Sequence, residues 1–421
     1  MRTFTNTLLV LSLLQSLPAM AFDFEAEEEK VFEVHGEVSN LLLWRNDGDF
    51  DPTIPFYEEE GQSVGAVTSF FKSNLAYRPL DNIELVYESE LGMNFYSRND
   101  PDQWFPTADD YVAFKHREFY SKFQLDLLEL KVGYQRIRDP ADLFLSHWFG
   151  AFRADLDLMR LRATVFAGQL PDSTYEGLEI RDNNFVHDNF IGGLTFSYDL
   201  IMEALSLDVG SYFLYDSRIA RKELILSTSY LGLRFNSETL QASLYGYVQG
   251  GWWQASGVAG IDQEIFAWAA AGRVAYLSPY VDIALSSVAL SPDDNGHGNR
   301  QLGSFFASGK NNSTTLILTE DEIRDRYDNL DEQMAGRWGS FFLNRAGLSI
   351  TDLSFTGKVG EFFFPQLILG TGLVLNKTNA GGHLYAGFEA DLILRFRFLE
   401  RVDAVLVGQF FQPGQAAATF V

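Results

Sequence analysis

Charged side chains that alternate with bulky apolar ones are the residues of this sequence most suited to chemistry. Lys122, for example, lies two positions from Tyr120 and from Gln124, with Phe123 between them. In an extended chain this period of two places every charged group on one face. The residues that we predict to line a polar interior and contact a solute are Lys122, Lys131, Gln135, Arg153, Arg160, Arg162, Glu389, Asp391, Arg395 and Arg397.

Two interpretations of this charged face are open. Rings of charged side chains select solutes by electrostatics, so the lysines and arginines favour anions. Acidic residues of the same face oppose them, among them Glu84, Glu88, Glu90, Asp155 and Asp157. In the second interpretation the opposite charges pair across neighbouring strands and make the wall rigid.

Recognisable catalytic and metal-binding patterns are missing from the sequence. None of the six histidines lies in a Gly-x-Ser-x-Gly or His-Glu-x-x-His setting, and we predict no catalytic residue, cofactor or bound metal, and no enzyme. His297 is better explained as part of a loop tip. Asp47, Asp49 and Asp51 have a spacing that suits Ca²⁺, but an ordinary hydrated loop is the favoured interpretation.

The elements that must position the charged face are β-strands. In residues 83–94, Ile83, Leu85 and Tyr87 share one face, while Glu84 and Glu88 share the other. A soluble sandwich also alternates in this way. Because the apolar face is bulky in segment after segment, however, it would expose large apolar patches to water unless a second sheet covered every one. Alternation predicts strands at 31–45, 63–78, 83–94, 114–126, 130–137, 149–157, 159–169, 188–199, 206–216, 225–236, 239–252, 265–277, 280–290, 338–351, 353–364, 366–376, 387–398 and 402–412.

The connections between these strands alternate in length. Short ones, such as 79–82 and 236–238, resemble periplasmic turns, whereas 46–62, 98–113, 170–187, 253–264 and 292–336 resemble extracellular loops. The fold class is therefore all-β: one transmembrane, antiparallel, up-and-down barrel of about 16–18 strands, with 18 favoured. In the 292–336 loop, Thr319–Met334 has a helix-capping pattern, and both a partial plug of the pore and a solvated external loop are open.

The N-terminus has the pattern of a secretory signal peptide. Arg2, an apolar run and the triplet Ala19-Met20-Ala21 predict a signal at residues 1–21 and a single barrel domain at 22–421. The chain is 15% aromatic, has no cysteine and carries a formal net charge of −25. This charge argues against nucleic acid as a partner, and the lack of cysteine argues against a lipid-anchored protein.

Several segments resemble the alginate-export family of outer-membrane barrels. The family's Gly-Arg-Gln strand is similar to residues 130–136, and its aromatic-Asp-Gly-x-Arg strand is similar to 147–153. Its Gly-x-Glu-x-Asp-Leu strand resembles 384–392, and its closing aromatic-Pro-Gly resembles 410–414. The resemblance implies an 18-stranded barrel with a basic constriction through which a polyuronate or another anionic solute leaves the cell.

From these patterns we expect a passive channel or porin in the outer membrane of a Gram-negative bacterium. Its solute would be small or polymeric, with an anionic saccharide or polysaccharide as one candidate. The expected partners are outer-membrane lipid and lipopolysaccharide, with a periplasmic export partner as a further candidate. The alternative is a structural or adhesive surface barrel with a plugged lumen and acidic loops that bind divalent ions.

Overall fold

The structure is a computed structural model that describes most of the chain. The described residues are 7–8, 32–46, 63–98, 112–169, 189–201, 204–217, 223–254, 262–293, 300–306, 347–398 and 402–416. Their helical content is one 3-10 turn, Lys377–Ala380, which Asn376 caps at its N-terminus. In these ranges no helix is long and apolar enough to cross a membrane.

Nearly all the described structure is β-strand, because apolar and polar residues alternate over segments of nine to eighteen residues. The strands are β1 (Thr7–Leu8), β2 (Phe32–Asn46), β3 (Ser63–Leu80), β4 (Ile83–Arg98), β5 (Val112–Leu125), β6 (Leu128–Arg138), β7 (Ser146–Leu158), β8 (Leu161–Gln169), β9 (Asn189–Ile201), β10 (Leu205–Asp216), β11 (Leu224–Asn236), β12 (Leu240–Trp253), β13 (Gln263–Tyr276), β14 (Val281–Leu290), β15 (Gln301–Leu302), β16 (Leu348–Gly357), β17 (Phe363–Val374), β18 (Tyr385–Phe398) and β19 (Val402–Pro413).

The long strands form a single antiparallel meander. Each pairs with the next in the chain from β2 to β14, then β14 pairs with β16, and the meander continues to β19. The dipeptide β1 pairs with β19 and lies close to β2, between the first and last long strands. In the described residues the seventeen long strands and β1 make eighteen, which agrees with the predicted barrel. β1 falls inside residues 1–21, whose cleavage stays a prediction.

The two faces of the wall differ as a membrane barrel requires. In β13, Ile265, Ala267 and Ala269 are buried inside, while Phe266 and Trp268 are 74% and 44% exposed on the outside. The same alternation leaves apolar side chains exposed on most long strands. An outward surface of this kind is stable in lipid and would aggregate in water.

The connections follow the predicted alternation in length. Turns such as Asp81–Asn82 and Asp126–Leu127 lie at one end of the barrel, and the strand ends that the longer connections join lie at the other. By the rule for outer-membrane barrels, the short turns mark the periplasmic end.

One part of the predicted strand pattern is wrong. Three strands were expected across 338–376, but the described residues 347–376 hold two, β16 and β17, joined by a turn at 358–362. Gly360 has φ +65° in this turn, a conformation that suits glycine. The boundary predicted next to Pro365 is instead inside β17, where its missing N–H is tolerated because pairing of β17 with β16 starts at Gln366.

Candidate functional site

Two connecting segments enter the barrel from the extracellular end. We call Asp139–Leu145, between β6 and β7, the first inward loop, and Arg300–Phe306, between β14 and β16, the second inward loop. Loops normally lie on the surface. Here the apolar residues exposed by 3% or less are Ala141, Leu143, Phe144 and Leu145 in the first loop and Leu302, Phe305 and Phe306 in the second.

A single carboxylate fastens the first inward loop. Asp139 is buried, and it accepts four backbone N–H groups of its own loop as well as the hydroxyl of Tyr247 on β12. The N–H donors are Ala141 at 3.2 Å, Leu143 at 3.0 Å, Phe144 at 2.9 Å and Leu145 at 2.8 Å. Burial raises the pKa of Asp139 to about 6, although the backbone N–H groups and Tyr247 act in the opposite direction.

A buried amide fastens the second inward loop. Gln249 on β12 donates to the carbonyl oxygen of Phe306 at 2.7 Å and accepts the N–H of Phe306 at 2.8 Å. Its amide nitrogen also donates to the Thr228 hydroxyl at 3.1 Å. Next to it, the rings of Phe305 and Tyr247 meet edge to face with centroids 6.2 Å apart. Both inward loops therefore bind β12.

Aromatic side chains on β8–β12 form the surface against which the first inward loop packs. Tyr212, Tyr230 and Tyr247 follow one another across β10–β12, with ring centroids 5.6 and 5.5 Å apart. Phe144 of the loop stacks on Tyr212 at 5.4 Å. Offset ring pairs of this kind add to the stabilisation that burial provides. We call β8–β13 with the two inward loops the aromatic sector.

Glycines on neighbouring strands make room for these rings. Gly210 lies directly across from Tyr230, and a Cβ there would be 2.3 Å from the tyrosine ring. In the same way, Gly193 lies directly across from Tyr212 and Gly232 directly across from Tyr245, and a Cβ on either glycine would collide with the tyrosine ring. Each tyrosine thus covers the glycine of an adjacent strand, a device known to stabilise glycine in sheets.

A polar cavity of about 570 Å³, which we call the arginine cavity, lies in the lumen between Pro140 of the first inward loop and the periplasmic ends of β8–β13. Three arginines line it: Arg162, Arg234 and Arg273. Asp208, next to the cavity, binds Arg234 at 2.6 Å. The cavity is also lined by Asp199, Ser206, Gln241, Ser243 and Tyr245. Its lining carries three positive charges and one negative charge.

On β3–β7, which we call the paired wall, the predicted basic residues are neighbours. Lys122 is directly across from Lys131, and Lys131 is directly across from Arg153, on the inward face. Each is bound by an acidic residue of the same or a neighbouring strand. The pairs are Lys122 with Glu84 at 3.4 Å and with Glu129 at 3.3 Å, Lys131 with Glu129 at 2.9 Å, and Arg153 with Asp155 at 2.7 Å.

Three other predicted residues lie near the paired wall. Gln135 is buried and donates to the carbonyl oxygen of Ala151 at 3.0 Å. Arg162 reaches Asp199 at 4.0 Å and lines the arginine cavity. Arg160 lies in the turn before β8 rather than in a strand, because Met159 adopts φ +44° there.

The four predicted residues of β18 are on a different part of the wall. Glu389 and Asp391 are fully buried, whereas Arg395 and Arg397 are exposed towards the periplasmic end. Arg397 binds Asp403 of β19 at 3.1 Å. The structure thus gathers the predicted residues into two groups on separate strands, and their role in solute contact stays a prediction.

Sequence reasoning missed the first inward loop, the tyrosines and two of the three cavity arginines. The run Leu143-Phe144-Leu145 was the available signal for the loop, because three bulky apolar residues in a connection indicate burial. Arg234 and Arg273 could have been found by the same alternation that identified Lys122. Asp47–Asp51, His297 and Thr319–Met334 lie outside the described residues.

Comparisons with known proteins identify the fold. No family model matches the chain, and no curated protein matches it in sequence. Among solved structures, OccAB4 of Acinetobacter baumannii superposes with a TM-score of 0.56 at 11% identity, covering 92% of this chain and 98% of that one. The Pseudomonas aeruginosa outer-membrane protein OpdK gives 0.54 at 11% identity, with 90% and 97% covered. OccK9 (OpdG) of the same species gives 0.54 at 12%, again with 90% and 97% covered.

These neighbours establish the architecture of an outer-membrane porin and do not support the alginate-export resemblance. The outward apolar surface requires a lipid environment, and barrels of this fold lie in the outer membrane of Gram-negative bacteria. The expected location is therefore confirmed. Inside this barrel, the first inward loop borders the arginine cavity through Pro140.

Proposed function

We propose that this protein is a passive outer-membrane channel that favours small anionic solutes and performs no catalysis. The architecture shared with porins supports a conduit through the membrane. The observation that carries the anion preference is the arginine cavity, since its three guanidinium groups face two carboxylates, Asp199 in the lining and Asp208 beside it.

The cavity differs from the paired wall in how its positive charge is compensated. Arg273 has no ion-pair partner among the described residues, and Arg162 is 4.0 Å from Asp199, at the limit of an ion pair. Arg234 is held by Asp208. Guanidinium groups bind carboxylate and phosphate in a planar, two-pronged geometry. Arg162 and Arg273 are therefore the groups through which a solute anion would be bound.

Neutral polar groups of the cavity favour a sugar acid among the anions. Gln241, Ser206 and Ser243 offer amide and hydroxyl groups next to the arginines. Such groups bind sugar hydroxyls, while the arginines bind the carboxylate. The two inward loops occupy part of the lumen, so we propose a small solute rather than a polymer.

Planar-bilayer recording of the purified, folded barrel tests this function. We expect steady conductance steps and, in a salt gradient, a reversal potential that shows anion preference. Replacing both Arg162 and Arg273 by Gln should reduce that preference several-fold, because both unneutralised charges leave the cavity. Arg138→Gln is the matched control, since it removes one positive charge on the outer side of the wall and should leave selectivity unchanged.

The same recording can overturn the proposal in two ways. Cation preference in the unmodified protein, or an unchanged reversal potential in the double variant, would exclude the role of the arginine cavity. Absence of conductance in folded protein would exclude the channel itself. That result would favour the second candidate, a structural barrel with a plugged lumen, which the dense packing of Phe144, Tyr247 and Phe305 supports.

A further inference from the structure

A group of basic side chains lies on the outer side of the wall, near the extracellular end of β5–β7. The β6–β7 ladder is regular: Val132 pairs with Phe152, and Arg136 pairs with Trp148. Since Val132 and Phe152 are exposed on the lipid-facing surface, Arg136 and Trp148 share that face. Arg138, two residues further along β6, is also exposed there.

The indole of Trp148 holds two guanidinium groups. Arg136 lies 4.5 Å from the ring centroid, and Arg117 lies 5.0 Å from it. Arg117 is the extra residue of a bulge in β5, which turns its side chain towards β7. Arg136 also donates to the Ser146 hydroxyl at 2.9 Å. We call Arg117, Arg136, Arg138 and Trp148 the outward basic patch.

The height of this patch matches the boundary between lipid tails and head groups. Arg136 is nine residues from Leu127, which lies in the periplasmic turn at the other end of β6. At about 3.3 Å per residue and a strand tilt of about 40°, the two are roughly 23 Å apart along the barrel axis. The apolar band of such barrels is about 25 Å tall, so Arg136 lies at the outer-leaflet interface. Tryptophan is enriched at this depth.

The positive charge of the outward basic patch contrasts with the negative net charge of the protein. The chain has a formal net charge of −25, yet Arg136 and Arg138 lie together on the lipid-facing side, next to the buried Arg117. The nearest acidic group on β5, Glu118, accepts the backbone N–H of Arg136 at 3.2 Å, and alternation places it on the inward face with Tyr120 and Lys122. Arg136 and Arg138 therefore face outward, on the side of the wall where lipid head groups lie.

We propose that the outward basic patch binds the phosphate of an anionic glycolipid in the outer leaflet. Arg136 and Arg138 contact the phosphate oxygens, and Trp148, whose ring holds the guanidinium groups of Arg117 and Arg136, fixes the plane of Arg136 against the wall. Arginine suits this role because its planar donors match phosphate and tolerate partial removal from water. The site does not depend on conduction and would serve a channel and a plugged barrel equally.

Titration of the folded, detergent-solubilised full-length barrel with diphosphorylated lipid A, followed by native mass spectrometry, measures this binding. Replacing both Arg136 and Arg138 by Gln should lower the amount of lipid bound at a given concentration by roughly tenfold or more. The double Lys variant should retain most of the binding, because it keeps both charges. Arg395→Gln, at the periplasmic end, is the matched control and should bind as the unmodified protein does.

Each other outcome counts against the proposal. Unchanged binding in the double Gln variant, with its fold verified by heat-modifiable migration in gels, would exclude the site. Equal losses in Arg395→Gln would show a general effect of net charge. Equal binding of lipid A that lacks phosphates would exclude phosphate recognition. Displacement by millimolar inorganic phosphate would identify a site for free anions instead of a lipid.

Discussion

Charged side chains on the paired wall find their partners on the same or an adjacent strand, whereas aromatic side chains of the aromatic sector find theirs on loops that enter from the extracellular end. Lys131 and Glu129 are two residues apart in one strand. Tyr247 and Asp139 are 108 residues apart in the chain. The ion pairs of the paired wall follow from alternation along neighbouring strands. The contacts of the aromatic sector form only when the whole barrel is folded.

The two regions also differ in the cost of changing them. Ion pairs that face water contribute about 0–1 kcal/mol each, because solvent screens them and long side chains lose entropy. Lys122 and Lys131 remain partly exposed, so their pairs are of this kind. Buried, hydrogen-bonded groups such as Asp139 cost much more when a partner is lost. Substitutions should therefore change stability little on the paired wall and reduce it clearly in the aromatic sector.

The largest effect is expected at Asp139. Asp139→Ala removes the acceptor of four loop N–H groups and of the Tyr247 hydroxyl, so the first inward loop should leave the wall at a cost of roughly 3 kcal/mol or more. Single-channel conductance should rise, and protease should cut within 139–145. Asp142→Asn in the same loop is the control: it keeps the Asp139 acceptor, so the loop should stay docked and protected from protease. A loop still protected in Asp139→Ala would show that apolar packing alone holds it.

Docking of the first inward loop should also depend on pH. Burial raises the pKa of Asp139 from 3.8 to about 6, so the docked loop binds a proton more tightly than a released, solvated loop does. Docking is therefore favoured in acid and weakens as pH rises from about 4 through 6, by up to roughly a hundredfold in population. Channel recordings between pH 4 and 8 should show fewer open events in acid.

Asp139→Asn should abolish this pH dependence, because the amide does not titrate. Asp142 lies close enough to raise the pKa of Asp139, so Asp142→Asn should move the midpoint to lower pH. Conductance that increases in acid would have the opposite sign and would exclude Asp139 as the responsible group.

An intermediate effect is expected where glycine accommodates a tyrosine. In Gly210→Ala the new methyl group would lie 2.3 Å from the Tyr230 ring, so the ring must shift, at a cost of about 1–3 kcal/mol. Thermal unfolding of the detergent-solubilised barrel measures this. Gly250→Ala is the matched control, since nothing lies within 4 Å of its new Cβ. Equal melting temperatures of the two variants would show that the tyrosine packing is loose.

The smallest effect is expected when one basic residue of each region is replaced and ion selectivity is compared. Arg273→Gln should change ion selectivity more than Lys131→Gln does, because Glu129 already neutralises Lys131 at 2.9 Å. Reversal potentials of the two variants, recorded in one salt gradient, decide the order. The reverse order would mean that the conducting path follows the paired wall instead of the arginine cavity.

Most of the wall could be predicted because its pattern is local. All eighteen proposed strands overlap long strands of the structure and together cover the seventeen that it describes, including 83–94 with β4 and 387–398 with β18. The error at 338–376 arose where Pro365 was taken as a boundary. Proline ends strands only where its N–H is needed, and that depends on which neighbour pairs at that residue.

The candidate site could be predicted only in part. Alternation gave the residues of the paired wall, because the inward side of a strand is fixed by parity. It could not show that Lys122, Lys131 and Arg153 are balanced by acids, since side-chain geometry decides that. Nor could it show that Phe144 reaches Tyr212 across the lumen.

The sequence by itself determined the barrel, its orientation and the two faces of its wall, because a strand buried in lipid on one side must alternate, residue by residue, between apolar and polar groups. Only the tertiary structure decided what fills the lumen. Asp139, Gln249 and the tyrosines of β10–β12 meet because the closed wall brings strands far apart in the chain within reach of two loops, and no local pattern encodes that distance.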